Sequence, residues 1–283
     1  MHTKMRKRNA LVIIDPQNDF MDLPNSALPV AGATADMDRL AAFILKNMDE
    51  IDHIAVTMDS HHPVDISHAA GWVDANGNPI GPFTVITAQD VRDGKYSWTK
   101  NPMWARQYTE ALEKQGEFTH FIWPDHCLVG SEGHNIYKPL LQAIHAWEKK
   151  KGGIFGAEYV TKGSNALTEH FGAFQAQVPI TDAPNTQPRI ELLTKLQTYE
   201  NVLLCGEARN FCLINSLKQI LNLAPDLASK LVVVEDCMSD VPNMPDEVGI
   251  ATQKIFDQAR KQGVRFTKST DPINSYSKAM ATA

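Results

Sequence analysis

The sequence predicts an α/β protein, a three-layer sandwich with a mostly parallel central sheet and helices on both faces. Three observations carry that expectation. Short β-branched runs alternate with longer amphipathic stretches along the chain, and strand–helix–strand repetition is how parallel strands are connected. Runs such as 10–14 and 231–234 are apolar at every position, as strands covered on both faces must be. Finally, 283 residues with 43% apolar content suffice to bury a full-sized core without covalent staples.

The elements follow in order. The run at 10–14 ends at Asp15-Pro16 and reads as a buried strand. Met37, Leu40, Ala41, Ile44 and Met48 recur at helical spacing over 33–48. A second strand covers 53–58. Residues 71–94 are rich in Gly, Asn, Asp and Pro, which predicts a hairpin or an irregular excursion. Asn101-Pro102 then offers an N-cap and a first-turn proline, opening a helix that Gly116 ends. A third strand is expected at 119–123, a helix at 136–149 and a short strand at 158–162. The polar, proline-bearing stretch 175–187 reads as a surface loop. Strands at 201–205 and 231–235 flank a helix at 211–223, and a helix at 247–262 leads to a short strand at 264–267. With no internal repeat, low-complexity tract or linker, 1–283 reads as one domain with insertions near 71–118 and 175–187.

Composition narrows the class. Twenty-seven basic against 33 acidic residues give a net charge of -6, which argues against a nucleic-acid partner because phosphate binding needs a basic face. The longest apolar runs fall far short of the roughly 18 residues of a membrane span. The basic start, Met1 to Arg8, resembles a signal n-region, but the apolar stretch behind it ends at Asp15, too early for a signal core. Four cysteines are too few for a disulfide scaffold. The expectation is a cytoplasmic globular enzyme.

The chemistry-bearing residues gather at predicted strand ends, where open parallel sheets bind ligands. Asp15 closes the first strand and is either a turn former or an acid that needs partners. Asp59, His61, His62 and His68 follow the second strand and His126 the third. Asp-x-His at a strand end puts both side chains on one side, and a carboxylate with imidazoles suits Zn, Fe or Mn; the alternative is a set of ordinary surface histidines. His2, His53, His120, His134, His145 and His170 lack that context. Cys212 stands at the start of a predicted helix, where the dipole and free N–H groups are expected to lower a thiol pKa and to receive an oxyanion. Cys205 and Cys237 read as inert buried thiols, and Cys127 is open to either reading. Lys162-Gly163 ends the short strand at 158–162. Alone it is a solvated charge at a turn; beside Asp15 and Cys212 it completes an acid, a cation and a nucleophile at one sheet edge.

Together these strings resemble the isochorismatase-like cysteine hydrolases, and most closely their nicotinamidase/pyrazinamidase branch. Asp15-Pro16-Gln17-Asn18-Asp19-Phe20 is similar to the family's opening motif, Asp59-Ser60-His61 with His68 to its metal string, and Trp123-Pro124-Asp125-His126-Cys127-Leu128-Val129-Gly130 to the branch's Trp-Pro-x-His-Cys motif. Lys162-Gly163 matches the lysine motif, with Phe171 and Phe174 echoing an aromatic pattern beyond it, and the segment from Gly206 to Cys212 matches the elbow that carries the nucleophile. The resemblance implies hydrolysis of nicotinamide to nicotinic acid and ammonia through a thioester. It makes Asp15, Lys162 and Cys212 catalytic, gives the oxyanion to the N–H groups of Ala208 and Cys212 beside a cis Glu207-Ala208 bond, and flanks the ring with Phe20 and Trp123. It also implies one divalent metal, zinc before iron or manganese, on Asp59, His61 and His126, with His68 as a fourth ligand. The implied partner is a small-molecule amide, with a homo-oligomer left open. The chain departs from the pattern at Glu207, Arg209-Asn210 and Gly172. Rival readings are another carboxamide or carbamoyl hydrolase, an isochorismatase, which needs no metal, and a non-catalytic binding protein on the same fold.

Overall fold

The computed structural model describes residues 8–151 and 156–273. His2 and most of the basic start lie outside them. Strand β1 (Asn9–Ile14) is buried at all six residues. Helix α1 (Ala33–Lys46) buries Met37, Leu40, Ala41 and Ile44 and leads to β2 (Ile51–Asp59). The excursion holds β3 (Trp72–Asp74), β4 (Val85–Ile86), the short helix α2 (Ala88–Arg92), β5 (Tyr96–Trp98) and α3 (Pro102–Gln115), and closes at β6 (His120–Phe121). Helix α4 (Lys138–Lys151), β7 (Glu158–Lys162), α5 (Ile190–Gln197) and β8 (Asn201–Gly206) resume the alternation. Helix α6 (Ile214–Leu223), β9 (Leu231–Val234), α7 (Asp246–Lys261) and β10 (Arg265–Thr267) complete it.

Six strands form one parallel sheet in the order β10-β9-β8-β1-β2-β7. The chain starts at β1, steps outward through β2 to β7, then returns to β8 on the far side of β1 and steps outward through β9 to β10. Right-handed crossovers run in opposite directions therefore put their helices on opposite faces. Helices α1 and α4 pack together on one face, α6 and α7 on the other. The reversal of strand order falls between β1 and β8, the kind of switch point at which such sheets open a crevice.

Three local expectations change. The strand foreseen at 119–123 is not in the central sheet: only His120–Phe121 is extended, and it pairs antiparallel with β4. Ile122 is claimed by the excursion, donating its N–H to Thr84 O and accepting from Phe83 N–H, and Pro124 ends the run. The stretch 175–187 is irregular but not a surface loop throughout. Ala176, Gln177, Val178 and Thr186 are buried, and the Thr186 hydroxyl supplies the backbone partner that burial demands, accepting from Ile180 N–H at 2.9 Å. The helix foreseen from residue 211 begins instead as a π-turn, Arg209–Leu213, before α6. The cap reading at α3 holds: Asn101 accepts from Trp104 N–H, and Gly116 takes the left-handed conformation. Among the described residues, no helix is long and apolar enough to cross a membrane.

Candidate active site and metal centre

Four strand ends converge beside the switch point. Asp15 follows β1, Asp59 ends β2, Lys162 ends β7 and Cys212 lies on the π-turn beyond β8. Strand register does part of the placing, since Asp59 and Lys162 are directly paired on β2 and β7. Glycine does another part. Gly163 has φ 73°, and a Cβ there would overlap Asp59; Gly206 has φ 112°, and a Cβ would overlap the Ile14 backbone paired with it. Asp15 itself sits at φ 40°, a conformation that aspartate tolerates better than most residues.

Lys162 is fully buried, so the solvated-turn alternative fails. Its Nζ lies 2.8 Å from Asp15 Oδ2, 3.2 Å from Asp59 Oδ1 and 3.6 Å from Cys212 Sγ. Against the cost of burial, Asp15 and Asp59 hold its pKa well above the usual lysine value. Asp15 is fixed by Thr57, whose hydroxyl donates to Oδ1 at 2.5 Å while accepting the Asp15 N–H. Burial raises the Asp15 pKa, with Lys162 pulling against it and Asp59 adding to it. The thiol expectation is corrected here. Burial pushes Cys212 well up, Lys162 pulls it down, and the Asp15 and Asp59 carboxylates push it up further. Desolvation outweighs the helix start, so the resting group is a thiol beside a carboxylate.

Asp59 joins this cluster to a second one. Its Oδ2 is 3.2 Å from His61 Nε2 and 3.7 Å from His126 Nε2. His61, His68 and His126 are all buried, with one ligand nitrogen from each inside a 4.8 Å span. Two of the three are anchored, and His68 Nε2 lies 3.3 Å from His126 Nδ1. His61 Nδ1 meets Asp65 Oδ2 at 3.0 Å, and His126 Nδ1 lies 2.9 Å from Pro124 O. Buried His61 Nε2 and His68 Nδ1 have no hydrogen-bond partner, and His61 is held well above its usual pKa, against burial, by Asp59 and Asp65. Imidazoles plus carboxylate, oriented from behind and short of positive charge in front, are a donor set that fits a divalent metal ion.

The crevice over both clusters is narrow and lined by Phe20, Trp123, Phe171, Phe211, Glu169 and Val241 above Asp59, His126, Ala208 and Cys212. The Glu207-Ala208 peptide bond is cis. The crevice brings aromatic side chains together with a thiol, carboxylates and an imidazole.

No protein-family model matches the sequence, and no curated protein matches it significantly. Solved structures do match. A nicotinamidase/pyrazinamidase from Acinetobacter baumanii superposes with a TM-score of 0.61 at 20% identity, over 95% of this chain and 99% of its own. This chain has the nicotinamidase fold. An L. infantum protein of that fold, solved in complex with nicotinate, gives 0.56 at 19% identity over 94% of this chain and 95% of its own. The pyrazinamidase of Pyrococcus horikoshii, in complex with zinc, gives 0.51 at 15% identity over 92% and 98%.

On the nicotinamidase fold, the residues singled out from the sequence fall as follows. Asp15, Lys162 and Cys212 meet, as do Asp59, His61, His68 and His126, while His62 is exposed. Phe20, Trp123 and Phe171 line the crevice; Phe174 is in the core. Cys205, Cys237 and Cys127 are buried away from solvent. Sequence reasoning missed four polar supports. Gln17 clamps the Asp59 backbone from both sides, donating to its carbonyl at 2.7 Å and accepting its N–H at 2.6 Å. Asp19 accepts the Cys127 N–H at 2.6 Å and so holds the loop carrying His126. Asp65 stands behind His61, and its spacing of four from that histidine was the available signal. Glu169 lines the crevice, its Oε1 accepting the His170 N–H at 2.7 Å; nothing in the sequence marks it.

Proposed function

We propose that this chain is a metal-assisted cysteine amidohydrolase that converts nicotinamide to nicotinic acid and ammonia through a thioester. One observation carries the reading: a buried lysine touches Asp15, Asp59 and Cys212 at once, and Asp59 is shared with the imidazoles of His61 and His126. Structural packing alone gives no reason to sink these charges side by side at a switch point.

Asp15 takes the Cys212 proton, and Lys162 stabilises the thiolate as it forms. The sulfur attacks the carboxamide carbon, and the N–H groups of Ala208 and Cys212 receive the oxyanion. As the C–N bond breaks, Asp15 returns the proton to the departing nitrogen, which leaves as ammonia. Water then attacks the thioester carbon. Asp15 accepts its proton and passes it to the sulfur, so nicotinic acid leaves and the thiol is restored. Phe20 and Trp123 flank the ring. Asp59, His61 and His126, with His68, would hold the metal, for which zinc is the first candidate; bound there, it supplies an electrophilic anchor for the ring nitrogen. The nicotinate and zinc complexes of proteins sharing the fold support the choice of substrate and ion.

The test is ammonia release from nicotinamide by metal-reconstituted wild type and by Cys212→Ala. Activity in the first and none in the second is expected. An inactive wild type removes the nicotinamide assignment, and an active Cys212→Ala removes the mechanism. A second reading, a larger carboxamide as substrate, is favoured by an apolar groove of about 460 Å³ that shares Leu28 and Val241 with the crevice and is walled by Phe83, Phe121 and Met244. Hydrolysis of ring-substituted carboxamides in preference to nicotinamide separates the two.

A further inference from the structure

Glu207, one of the departures from the family's pattern, is fully buried on the join between β8 and the π-turn. A second carboxyl, Asp36 in the first turn of α1, is buried with it. Ser239 ties them together: its N–H donates to Glu207 Oε2 at 3.0 Å and its hydroxyl to Asp36 Oδ2 at 2.5 Å. Glu207 Oε1 receives no hydrogen bond. Two adjacent ionised carboxylates at this depth repel strongly, whereas one proton between them turns repulsion into a hydrogen bond. Neighbouring charges decide which carboxyl holds it. Arg39, also on α1, pairs with Asp36. On the flanking loop, Asp240 is paired with Arg209, and Asp236 accepts from the N–H and hydroxyl of Ser269. No cation is thereby assigned to Glu207, so the shared proton belongs on Glu207. Burial and Asp36 both push the Glu207 pKa well up, in keeping with that arrangement.

The same strip of chain holds the elbow. Gly206 donates its N–H to Cys237 O, Arg209 donates to Ser239 O, and the Asn210 side chain bonds Val241 at both N–H and carbonyl. The Glu207–Ser239 bond is the middle link of this seam, next to Ala208.

We propose that Glu207 is a positioning residue: as a neutral carboxyl it shares one proton with Asp36, fastens the elbow to Ser239, and so fixes Ala208 and Cys212, and loss of that proton loosens the elbow. Its activity arm rests on the amidohydrolase reading; its stability and exchange arms do not. A carboxyl whose pKa is raised by folding contributes stability that is full below the unfolded carboxyl range and is lost as pH climbs toward the folded value. Glu207→Gln keeps the shape, accepts from Ser239 and donates an amide N–H to Asp36 without titrating.

The Tm of Glu207→Gln should therefore match wild type near about pH 5 and exceed it increasingly toward about pH 9. At the higher pH, deuterium exchange over 206–212 should be slower in the variant than in wild type. Ammonia release by Glu207→Gln should keep its kcat and hold it to higher pH, whereas Glu207→Ala should lose about ten- to a hundredfold in kcat with KM little changed. Parallel Tm–pH curves with equal exchange overturn the proposal, as does a Glu207→Gln as impaired as Glu207→Ala. If wild type releases no ammonia, the nicotinamide reading fails, and the Tm and exchange arms still decide this one.

Discussion

The sheet edge around Lys162 and the excursion around Trp72 are both buried, and they bury opposite things. At the edge, an ammonium, two carboxylates and a thiol are packed in mutual contact, and the neighbouring His61 Nε2 and His68 Nδ1 make no hydrogen bond. In the excursion, Trp72, Trp98, Tyr108, Ile86 and Ile122 form their own apolar cluster, and the polar tips are spent locally. Trp72 Nε1 donates to Ile66 O at 2.8 Å, Trp98 Nε1 to Ala70 O at 3.0 Å, and His120 Nε2 lies 2.9 Å from Ile66 O. Equal depth thus means different things: satisfied burial stabilises, while unsatisfied or charged burial costs free energy and is kept where it serves chemistry. Substitutions in the two regions should dissociate activity from stability.

The largest effect is expected from Lys162→Met. Methionine fills much of the lysine volume but leaves Asp15 and Asp59 without their shared cation. Ammonia release should fall by about 10³-fold or more in kcat/KM, in line with removal of one member of a cooperating catalytic set. The protein should remain folded by circular dichroism, since a proton taken up by Asp15 relieves the repulsion. Wild-type activity in this variant would mean that the buried cluster is structural after all.

Trp72→Ala is the reverse case. It empties one of the largest fully buried side chains, for a cost of about 3–5 kcal/mol, read as a lower urea midpoint. kcat/KM of the folded fraction should stay within a few-fold of wild type, because Trp72 is absent from the crevice lining. A loss of activity larger than the loss of stability would instead join the excursion to the reaction.

The same contrast explains what the sequence made legible. The six-stranded sheet was readable because its inner strands β1, β8 and β9 are buried throughout, and because Asp15, Asp59 and Lys162 each sit at a strand end. The short strands of the excursion were not, since β3, β4 and β6 are two or three residues long, too short for any periodicity, and what orders them is the tertiary packing of Trp72, Trp98 and Tyr108. Histidines converged on paper through Asp-x-His spacing, yet Gln17, Asp19 and Glu169 could not be singled out. Their roles depend on meeting backbone groups about 40 or 110 positions away, or on a crevice wall, and neither leaves a local pattern. The Cys212 pKa expectation failed for a related reason. The helix start is local and visible, but the desolvation that overrides it is global.

The smallest predicted effect tests whether the edge is a metal centre rather than a buried polar network. Asp65 Oδ1 accepts from the N–H and hydroxyl of Ser67, while Oδ2 faces His61 Nδ1. As a carboxylate it can only accept from that nitrogen, which keeps a proton on Nδ1 and makes Nε2 the nitrogen that would give its lone pair to a bound ion. Asp65→Asn keeps the acceptor toward Ser67 and turns an amide N–H toward His61. The imidazole must then carry its proton on Nε2, the wrong tautomer for a ligand. Zinc affinity, measured against a competing chelator, should drop about ten- to a hundredfold, while the Tm of the chelator-treated protein moves little. A stable variant with undiminished zinc affinity would detach His61 from the ion and leave Asp65 as a support for the loop alone.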